Sequence, residues 1–246
     1  MSEQSQQNSQ FYFSNENPCP YLPNKQERKI FTHLSGHKSQ IHMQLLSENG
    51  FRRSQNIIYR PHCKDCLKCK SIRVKVKDFK ASKSQKIIIR KNADIIATQM
   101  QAQVGQEHFK LFKKYLLTRH DDGGMTDMDF DDFKDMVEDT PVNSDIIEYR
   151  LTSNNKKKGQ LIGVALIDIM FDGFSMVYSF FDPDFAKRSL GVFMIVENIL
   201  RAKENRQDHV YLGYWVNGSK KMSYKANFKP LEFYKQDEGW LELGQN

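Results

Sequence analysis

Residues 161–181 read LIGVALIDIMFDGFSMVYSFF, which is two apolar runs separated by Phe171-Asp172-Gly173. Each run has the length of a strand, and an Asp-Gly pair between such runs is typical of a tight hairpin turn. Another strand is predicted before this hairpin, over residues 146–151. A helix over residues 190–203 and a strand over residues 210–216 are predicted after it. This order of a β-meander, a helix and a strand predicts an α+β fold.

Shorter elements are predicted in the first half of the chain. Ser39 is placed to cap a helix that ends at Asn49-Gly50, because a hydroxyl accepts a free backbone N–H and glycine adopts the conformation that closes a helix. Residues 51–59 and 70–79 are predicted strands, and residues 86–90 are predicted to form another. The first half is therefore also expected to mix helices and strands.

Helical periodicity returns near residue 106, where the second half is predicted to open with two helices. Thr126 and Asp129 have the spacing of a capping box for the second of these helices. The chain is therefore divided into a disordered tail over residues 1–10, an N-terminal domain with a cysteine loop over residues 11–100 and a C-terminal domain over residues 101–246.

The composition is that of a folded protein without a membrane span. The chain has 246 residues, of which 39% are hydrophobic, and this is enough to build a sizeable core. Mean hydropathy is −0.66, and no apolar run approaches the roughly 18 residues of a membrane helix. The first ten residues, MSEQSQQNSQ, have neither the basic nor the apolar region of a secretion signal. A cytoplasmic protein is expected.

Positive charge is concentrated between residues 60 and 91, which carry twelve lysines and arginines against Asp65 and Asp78. Apolar and basic residues alternate along the strand predicted over residues 70–79, so one face of that strand is expected to present a row of cations. The row consists of Arg73, Lys75 and Lys77. It suits a phosphate backbone, although a solvated surface is the usual explanation for a run of charge.

All four cysteines lie in the first half of the chain, at Cys19, Cys63, Cys66 and Cys69. The last three form Cys-x-x-Cys-x-x-Cys, a spacing that allows thiolates to converge on one ion. Cys19 or His62 is a candidate fourth ligand for zinc, and an iron–sulfur cluster would also accept three near cysteines and one distant one. Reduced, partly buried thiols explain the same pattern, so zinc, a cluster and no metal all stay open.

The start of the helix predicted over residues 190–203 carries Arg188-Ser189-Leu190-Gly191-Val192-Phe193. This segment resembles the pyrophosphate loop of acetyl-CoA-dependent acyltransferases, in which a helix N-terminus binds phosphate. Phe193 stands where that loop has a small residue, which lets the backbone approach the ligand. We therefore expect an acetyltransferase-like fold that has lost its acetyl-CoA site.

Several blocks of sequence, in a fixed order, resemble the aminoacyl-tRNA–protein transferases. In the first half the blocks are Cys19-Pro20-Tyr21-Leu22-Pro23, Gly50-Phe51-Arg52-Arg53-Ser54 and Tyr59-Arg60-Pro61-His62-Cys63. In the second half they are Tyr178-Ser179-Phe180-Phe181-Asp182-Pro183, Tyr211-Leu212-Gly213-Tyr214-Trp215 and Lys221-Met222 followed by Tyr224-Lys225. The similarity covers roughly residues 11–235, and ordered blocks are more specific than any single motif.

This resemblance implies both a fold and a reaction. The family's second half is acetyltransferase-like, a mixed sheet with helices. The details are similar to the bacterial leucyl branch, which moves Leu from leucyl-tRNA to proteins that begin with Asp or Glu and so marks them for degradation by the N-end rule pathway. The implied partners are leucyl-tRNA and those proteins, and the transfer itself requires no cofactor.

The implied reaction is aminolysis of an ester, which needs alignment, stabilisation of an oxyanion and cations that select an acidic N-terminal residue. The candidate catalytic residues are Tyr178, Tyr214 and Tyr224. The candidate contacts to the acidic residue are Arg52, Arg53, Lys221 and Lys225, the two lysines on one face of a helix starting near Ser219. The candidate tRNA contacts are Arg73, Lys75, Lys77, Lys83 and Lys86. For each of these residues, a solvated cation or a tyrosine that satisfies a structural hydrogen bond is the plain alternative.

Three other functions stay open. An arginyl-tRNA donor would require acids around the arginine, for which Asp182, Asp184 and Glu232 are candidates. An acetyl-CoA-dependent N-acetyltransferase would use the same fold with a different donor. A non-catalytic RNA-binding module with a zinc loop would explain the basic segment, but it leaves the second half of the chain without a role.

Overall fold

The computed structural model describes residues 10–119, 124–152 and 159–244. The predicted disordered tail lies outside the described residues except for Gln10. None of the helices in the described part of the chain combines the length and the apolar character that crossing a bilayer requires.

The described residues form two main sheets with helices packed around them. The strands are β1 (Tyr12–Phe13), β2 (Asn17–Pro18), β3 (Gln26–Glu27), β4 (Lys29–His33), β5 (Arg52–Ser54), β6 (Ile57–Pro61), β7 (Cys69–Lys75), β8 (Ile95–Gln101), β9 (Ser144–Leu151), β10 (Leu161–Met170), β11 (Gly173–Phe181), β12 (His209–Val216), β13 (Leu231–Lys235) and β14 (Gly239–Glu242). The α-helices are α1 (Ser39–Glu48), α2 (Lys83–Lys91), α3 (Gln106–Arg119), α4 (Phe130–Glu138) and α5 (Leu190–Glu204), and short 3₁₀ helices span Gly124–Asp127, Pro183–Arg188 and Ser223–Asn227.

The large sheet has eight strands in the order β14-β13-β7-β12-β11-β10-β9-β8. Its neighbouring strands are antiparallel except for β11 and β12, which run parallel over a short stretch. A smaller sheet has the order β1-β4-β6-β5. Strand β7 comes from the first half of the chain, yet it lies between β12 and β13. The two halves therefore share one continuous sheet.

The core lies on both faces of the large sheet. On one face α5 packs against the central strands, with Val196 and Ile199 fully buried. On the other face α3 and α4 pack through Phe112 and Phe133, whose rings stack at 4.7 Å. The small sheet and α1 cover a third cluster that includes Met43. This arrangement leaves the region where β11 meets β12 bordered by the small sheet.

The predicted α+β class and the mixed sheet with helices are confirmed. Strand β10 has the predicted bounds, and the meander of β9, β10 and β11 is followed by α5 and then by β12, as predicted. On β7, Ile72 and Val74 are fully buried, which is the alternation that the sequence indicates. Helix α1 ends at Glu48, with Asn49 at its C-cap, and Gly50 follows with φ +78°. The predicted cap at Ser39 is wrong: Ser39 is the first helical residue, the N-cap position is Lys38, and the Ser39 hydroxyl donates to the carbonyl oxygen of Gly36.

Other local predictions are wrong as well. Residues 86–90, predicted as a strand from their isoleucine run, lie in α2, because Ser82 and Gln85 form a capping box that starts a helix there. The Ser82 hydroxyl accepts the Gln85 N–H, and the Gln85 side chain accepts the Ser82 N–H. The cap of α4 is Asp129 with Asp132, one turn later than the predicted cap at Thr126, because either carboxylate can accept a backbone N–H.

The division of the chain near residue 100 stays a prediction. Strands β7 and β8, which precede that point almost entirely, hydrogen-bond to strands that follow it. Any boundary therefore falls within one hydrogen-bonded sheet.

Candidate active site

The parallel pairing of β11 and β12 ends early. It joins Gly173–Ser175 to residues 209–211, although β11 continues to Phe181 and β12 to Val216. Beyond that point the two strands no longer hydrogen-bond to each other, so carbonyl groups of each strand have no partner on the other. Buried carbonyl groups need other hydrogen-bond donors, and two cationic side chains supply them.

Arg52 joins the two strands where their pairing ends. Its Nη2 donates to the carbonyl oxygens of Val177 at 2.5 Å and Met176 at 3.4 Å, both on β11. Its Nη1 donates to the carbonyl oxygen of Leu212 on β12 at 3.5 Å. A guanidinium with a fixed charge and several N–H donors is well suited to this bridging position.

Gly213 makes room for Arg52. This residue has φ +70°, and a Cβ atom at this position would lie 1.2 Å from Nη1 of Arg52. The register of β12 against β7 shifts at the same place, between Tyr211 and Gly213. A glycine inside a strand often marks such a bulge or a close approach, and here it marks both.

Lys225, on the 3₁₀ helix Ser223–Asn227, is the second cation. Its Nζ donates to the carbonyl oxygens of Leu212 at 2.7 Å and Tyr214 at 3.0 Å. The side chain is buried, and this burial, together with the nearby charge of Arg52, lowers the pKa of Lys225 to about 7. Desolvation disfavours the charged amine, so Lys225 exchanges a proton near neutral pH.

The three candidate tyrosines have different surroundings. Tyr214 is buried, and its hydroxyl faces the carbonyl oxygens of Gly50 at 3.1 Å and Tyr59 at 2.9 Å. Tyr178 packs against the rings of the α3 core. Burial raises the pKa of all three phenols. Tyr224 is the most accessible, with 39% of its surface exposed.

The loop that begins at Cys19 closes one side of this region. Burial raises the pKa of Tyr21, and Tyr59 and Arg52 are the neighbouring groups with the largest electrostatic effect on it. The Leu22 side chain lies 3.8 Å from where a Cβ of Gly218 would be. The loop therefore packs over the end of β12, and blocks that are far apart in the sequence meet here.

Arg53 has a different environment from Arg52. Its guanidinium forms two hydrogen bonds of 2.6 Å with the carboxylate of Asp168 and donates to the carbonyl oxygen of Gln55 at 2.8 Å. Arg53 and Asp168 are both buried. This pair joins the small sheet to β10, and we do not include Arg53 in the proposed substrate site.

Lys221 is exposed, in a turn before the 3₁₀ helix Ser223–Asn227. The α-helix predicted to place Lys221 and Lys225 on one face does not form; Lys221 lies in solvent, whereas Lys225 is buried.

The candidate tRNA contacts also differ from one another in their exposure and pairing. Arg73 is paired with Glu232 at 2.7 Å and lies over the ring of Trp240 at 4.2 Å. Lys75 lies 3.6 Å from Asp78. Lys77, Lys83 and Lys86 are exposed. The row of cations therefore faces solvent only in part.

The four cysteines are free thiols and are partly buried. Burial, followed by Cys63, Cys19 and Cys66, raises the pKa of Cys69 to about 12, so the four sulfur atoms lie within electrostatic reach of one another. Within the described ranges, however, no three His, Cys, Asp or Glu side chains are arranged to hold a metal ion. Thiolates would suit zinc or a cluster, and a metal at these cysteines stays a prediction.

The start of α5 is occupied by groups of the protein itself. Arg188 forms a bidentate pair with Asp94 at 2.9 and 2.8 Å. A Cβ at Gly191 would lie 3.2 Å from the ring of Phe181. Phe193, which stands in place of a small residue, is buried in the core. The start of α5 is therefore in contact with the protein's own side chains, and the loss of an acetyl-CoA site stays a prediction.

Several residues of this region are absent from the candidates chosen from the sequence. Gly213, Tyr21 and Tyr59 all lie beside Arg52 or Tyr214. Gly213 could have been found from its place inside a predicted strand, since that position suggests a close backbone approach. Tyr21 and Tyr59 carry no local signal, because their proximity depends on the packing of distant loops.

Two family profiles and several solved structures are similar to this chain. Residues 107–235 match the family profile described as "Arginine-tRNA-protein transferase, C terminus", and residues 17–87 match "Arginine-tRNA-protein transferase, N terminus". Among solved structures, L-PGS from Bacillus licheniformis has a TM-score of 0.48 at 13% identity, covering 69% of this chain and 60% of its own. FemX has a TM-score of 0.45 at 14% identity, covering 78% and 64%.

Curated relatives match over nearly the full length. A protein of Agrobacterium fabrum (strain C58) named aspartate/glutamate leucyltransferase is 48% identical over 98% of this chain and 97% of its own length. A protein with the same name from Sinorhizobium medicae (strain WSM419) is 48% identical over 98% of this chain and 94% of its own. Because both profiles and these relatives match, the chain belongs to the arginine-tRNA–protein transferase family.

Proposed function

We propose that this protein transfers leucine from leucyl-tRNA to the α-amine of proteins that begin with Asp or Glu. The amine nitrogen attacks the leucyl carbonyl carbon, a peptide bond forms, and the ester bond to the 3′-terminal oxygen of the tRNA breaks. The proton that the amine loses is transferred, overall, to the 3′-terminal oxygen of the leaving tRNA. The reaction takes place in the cytoplasm, where aminoacyl-tRNA is present, and its product is directed to N-end rule degradation.

The observation that carries this proposal is the pair of cations at the junction of β11 and β12. Arg52 and Lys225 both donate to the carbonyl oxygen of Leu212. They lie on blocks of sequence that identify the family. Two cations in a partly desolvated position interact strongly with an anion, and both the substrate's acidic side chain and the oxyanion of the reaction are anions.

Arg52 is the proposed contact to the acidic side chain. Its guanidinium has more N–H donors than the three carbonyl groups use, so donors are left for a carboxylate. Its bonds to two strands also hold it in place, which favours a defined geometry over a flexible surface cation. The exposed phenol of Tyr224 lies within electrostatic reach of Arg52, and we assign it the role of orienting the incoming amine.

A strong general base is not required. An α-amine has a pKa of about 8 and is already partly neutral at cytoplasmic pH. The protein's contribution is then to align the two substrates and to stabilise the tetrahedral oxyanion. Lys225, which exchanges a proton near neutral pH, is the proposed group to accept or return the proton.

The candidate acidic residues for binding an arginyl group are all in ion pairs, and this favours leucine over arginine as the transferred residue. Asp182 and Asp184 both pair with Lys114 at 2.6 Å, and Glu232 pairs with Arg73. The candidate acids for an arginyl group are therefore already neutralised by cations of the chain. An apolar leucyl side chain does not need them.

The decisive experiment supplies radiolabelled leucyl-tRNA and arginyl-tRNA in separate reactions, each with peptides that begin with Asp, Glu or Ala. We expect label from leucyl-tRNA on the Asp and Glu peptides and none on the Ala peptide. Transfer from arginyl-tRNA alone would assign the arginyl activity. Leucine that stays esterified in the presence of every peptide would overturn the proposal.

A further inference from the structure

A cavity of about 520 Å³ adjoins the proposed site, and Tyr214 and Ser71 are among its lining residues. Four cations also line it, namely Arg28, Arg60, Lys64 and Lys70, whereas Glu16 is the one acid among the described lining residues. None of these four cations forms an ion pair with a carboxylate in the part of the chain that the structure describes. The cavity therefore has a net positive lining with charge available for a ligand.

Two exposed aromatic rings lie beside this cavity, one in contact with a lining cation and the other with a ring that a lining cation covers. Phe13 is 50% exposed, the guanidinium of Arg28 lies 4.6 Å from its ring centre, and the ring of His62 lies 5.2 Å from it. Phe11 is 41% exposed and packs against Phe51, over which the Arg60 guanidinium lies at 5.0 Å. Phenylalanine rings are mostly buried in folded proteins. The exposure of two of them beside a cationic cavity therefore requires an explanation.

Rings interleaved with cations are the surface that binds single-stranded nucleic acid, in which bases stack on rings and cations follow the backbone. We infer that this cavity binds the unpaired 3′ end of the donor RNA, with bases on Phe11 and Phe13 and phosphates on Arg28 and Arg60. This inference rests on the proposed function. Because Tyr214 lines the cavity, an RNA bound here has its terminal ester close to the junction of β11 and β12.

An acidic peptide is the other ligand that such charge would attract. It offers no planar bases to the exposed rings, so the rings favour RNA. The single-stranded form is favoured because a paired helix hides the faces of its bases, whereas an unpaired end presents them.

The test measures binding of a fluorescently labelled, short single-stranded RNA ending in CCA, by anisotropy, to the full-length protein. Phe13→Ala should weaken binding by roughly ten-fold, since a stacked base is lost, while Phe13→Trp should retain it. Arg60→Gln should lower the slope of log affinity against log salt by about 0.7, as expected for one contact to a single strand. Matched controls are Phe171→Ala, which removes a ring that is 70% exposed elsewhere, and Lys134→Gln on α4.

Equal binding by Phe13→Ala and Phe171→Ala would overturn the inference, as would displacement of the RNA by an acidic peptide but not by unlabelled RNA. Thermal unfolding of each variant shows whether the fold is retained, and substitutions at the exposed positions Phe13, Phe171 and Lys134 should leave the melting temperature unchanged. The assay uses no aminoacyl group, so it is independent of the transfer reaction. Binding that depends on Phe13 in a protein without transfer activity would reject the proposed function and keep this inference; the reverse result would reject this inference alone.

Discussion

The guanidinium of Arg52 occupies the space that a side chain at position 213 would need. A Cβ built on Gly213 lies 1.2 Å from Nη1 and 2.4 Å from Cζ of Arg52. Neither atom belongs to a freely mobile group, because the guanidinium is hydrogen-bonded to β11 and β12. The position of the Arg52 guanidinium therefore requires glycine at residue 213.

Gly213→Ala should abolish transfer activity and lower the melting temperature. Alanine at φ +70° is strained by about 1–2 kcal/mol, and the collision with Arg52 adds to this. The double variant Gly213→Ala/Arg52→Ala should recover part of the melting temperature and none of the activity. Differential scanning calorimetry and the leucyl transfer assay measure the two effects. A fully active Gly213→Ala protein would show that Arg52 is free to move.

Arg52→Ala should impair the use of acidic substrates more than the binding of leucyl-tRNA. We expect kcat/KM for an Asp-starting peptide to fall by roughly a hundred-fold, the effect of losing a charge-assisted contact of about 3 kcal/mol. Affinity for leucyl-tRNA should change much less. The measurements are transfer kinetics at varied peptide concentration and tRNA binding by anisotropy. Parallel losses in both would assign Arg52 a purely architectural role.

Arg53→Ala should act through stability. Removing Arg53 leaves the Asp168 carboxylate buried without its partner, which typically destabilises a protein by about 3–5 kcal/mol. Urea denaturation checks this value. The double variant Arg53→Ala/Asp168→Leu should regain a large part of the loss, since the unpaired charge is then removed. If Arg53→Ala unfolds like the parent protein, the pair is not the structural link that its burial indicates.

Lys225 should make stability depend on pH above neutrality. Its pKa is about 7 in the folded protein and has an ordinary value of 10.5, so between these values the unfolded chain binds more protons. The free energy of unfolding therefore rises with pH between about 7 and 10.5. This gain in stability decreases as the pH is lowered and is fully lost once the pH falls through the folded pKa. Lys225→Met lacks this contribution. Urea denaturation from pH 6 to 9 should show the difference between parent and variant changing with pH, and parallel curves would contradict the assignment.

Lys75→Glu/Lys77→Glu should weaken binding of whole tRNA and flatten its salt dependence, because these cations face the solvent in part and each phosphate contact contributes to the slope. Binding of a short single-stranded RNA should be affected less, since neither lysine lines the cavity. Anisotropy titrations at several salt concentrations make both comparisons. Lys75 ends β7 and Lys77 lies in the turn that follows it, and an unchanged slope for whole tRNA would remove both lysines from the proposed tRNA surface.

The elements that follow from local periodicity were predictable, and the arrangement around Arg52 was not. Strand β10 and the alternation on β7 depend on neighbouring residues, so the sequence indicates them directly. The distinction between Arg52 and Arg53 depends on β10, β11 and β12, which are more than a hundred residues away. Adjacent residues on a strand point to opposite faces, which explains why two neighbouring arginines differ, but only the fold decides which face meets which partner.

The central position of β7 bears on how the protein is made. Its hydrogen-bonding neighbours are β12 and β13, both of which the ribosome synthesises long after β7. The nascent chain must carry Ile72 and Val74, which end fully buried, without their partner strands until β12 and β13 have been synthesised. Termination of synthesis before residue 209 would therefore leave β7 as an unpaired apolar strand that is prone to aggregation, and the eight strands of the large sheet can assemble only after β13 and β14 have left the ribosome.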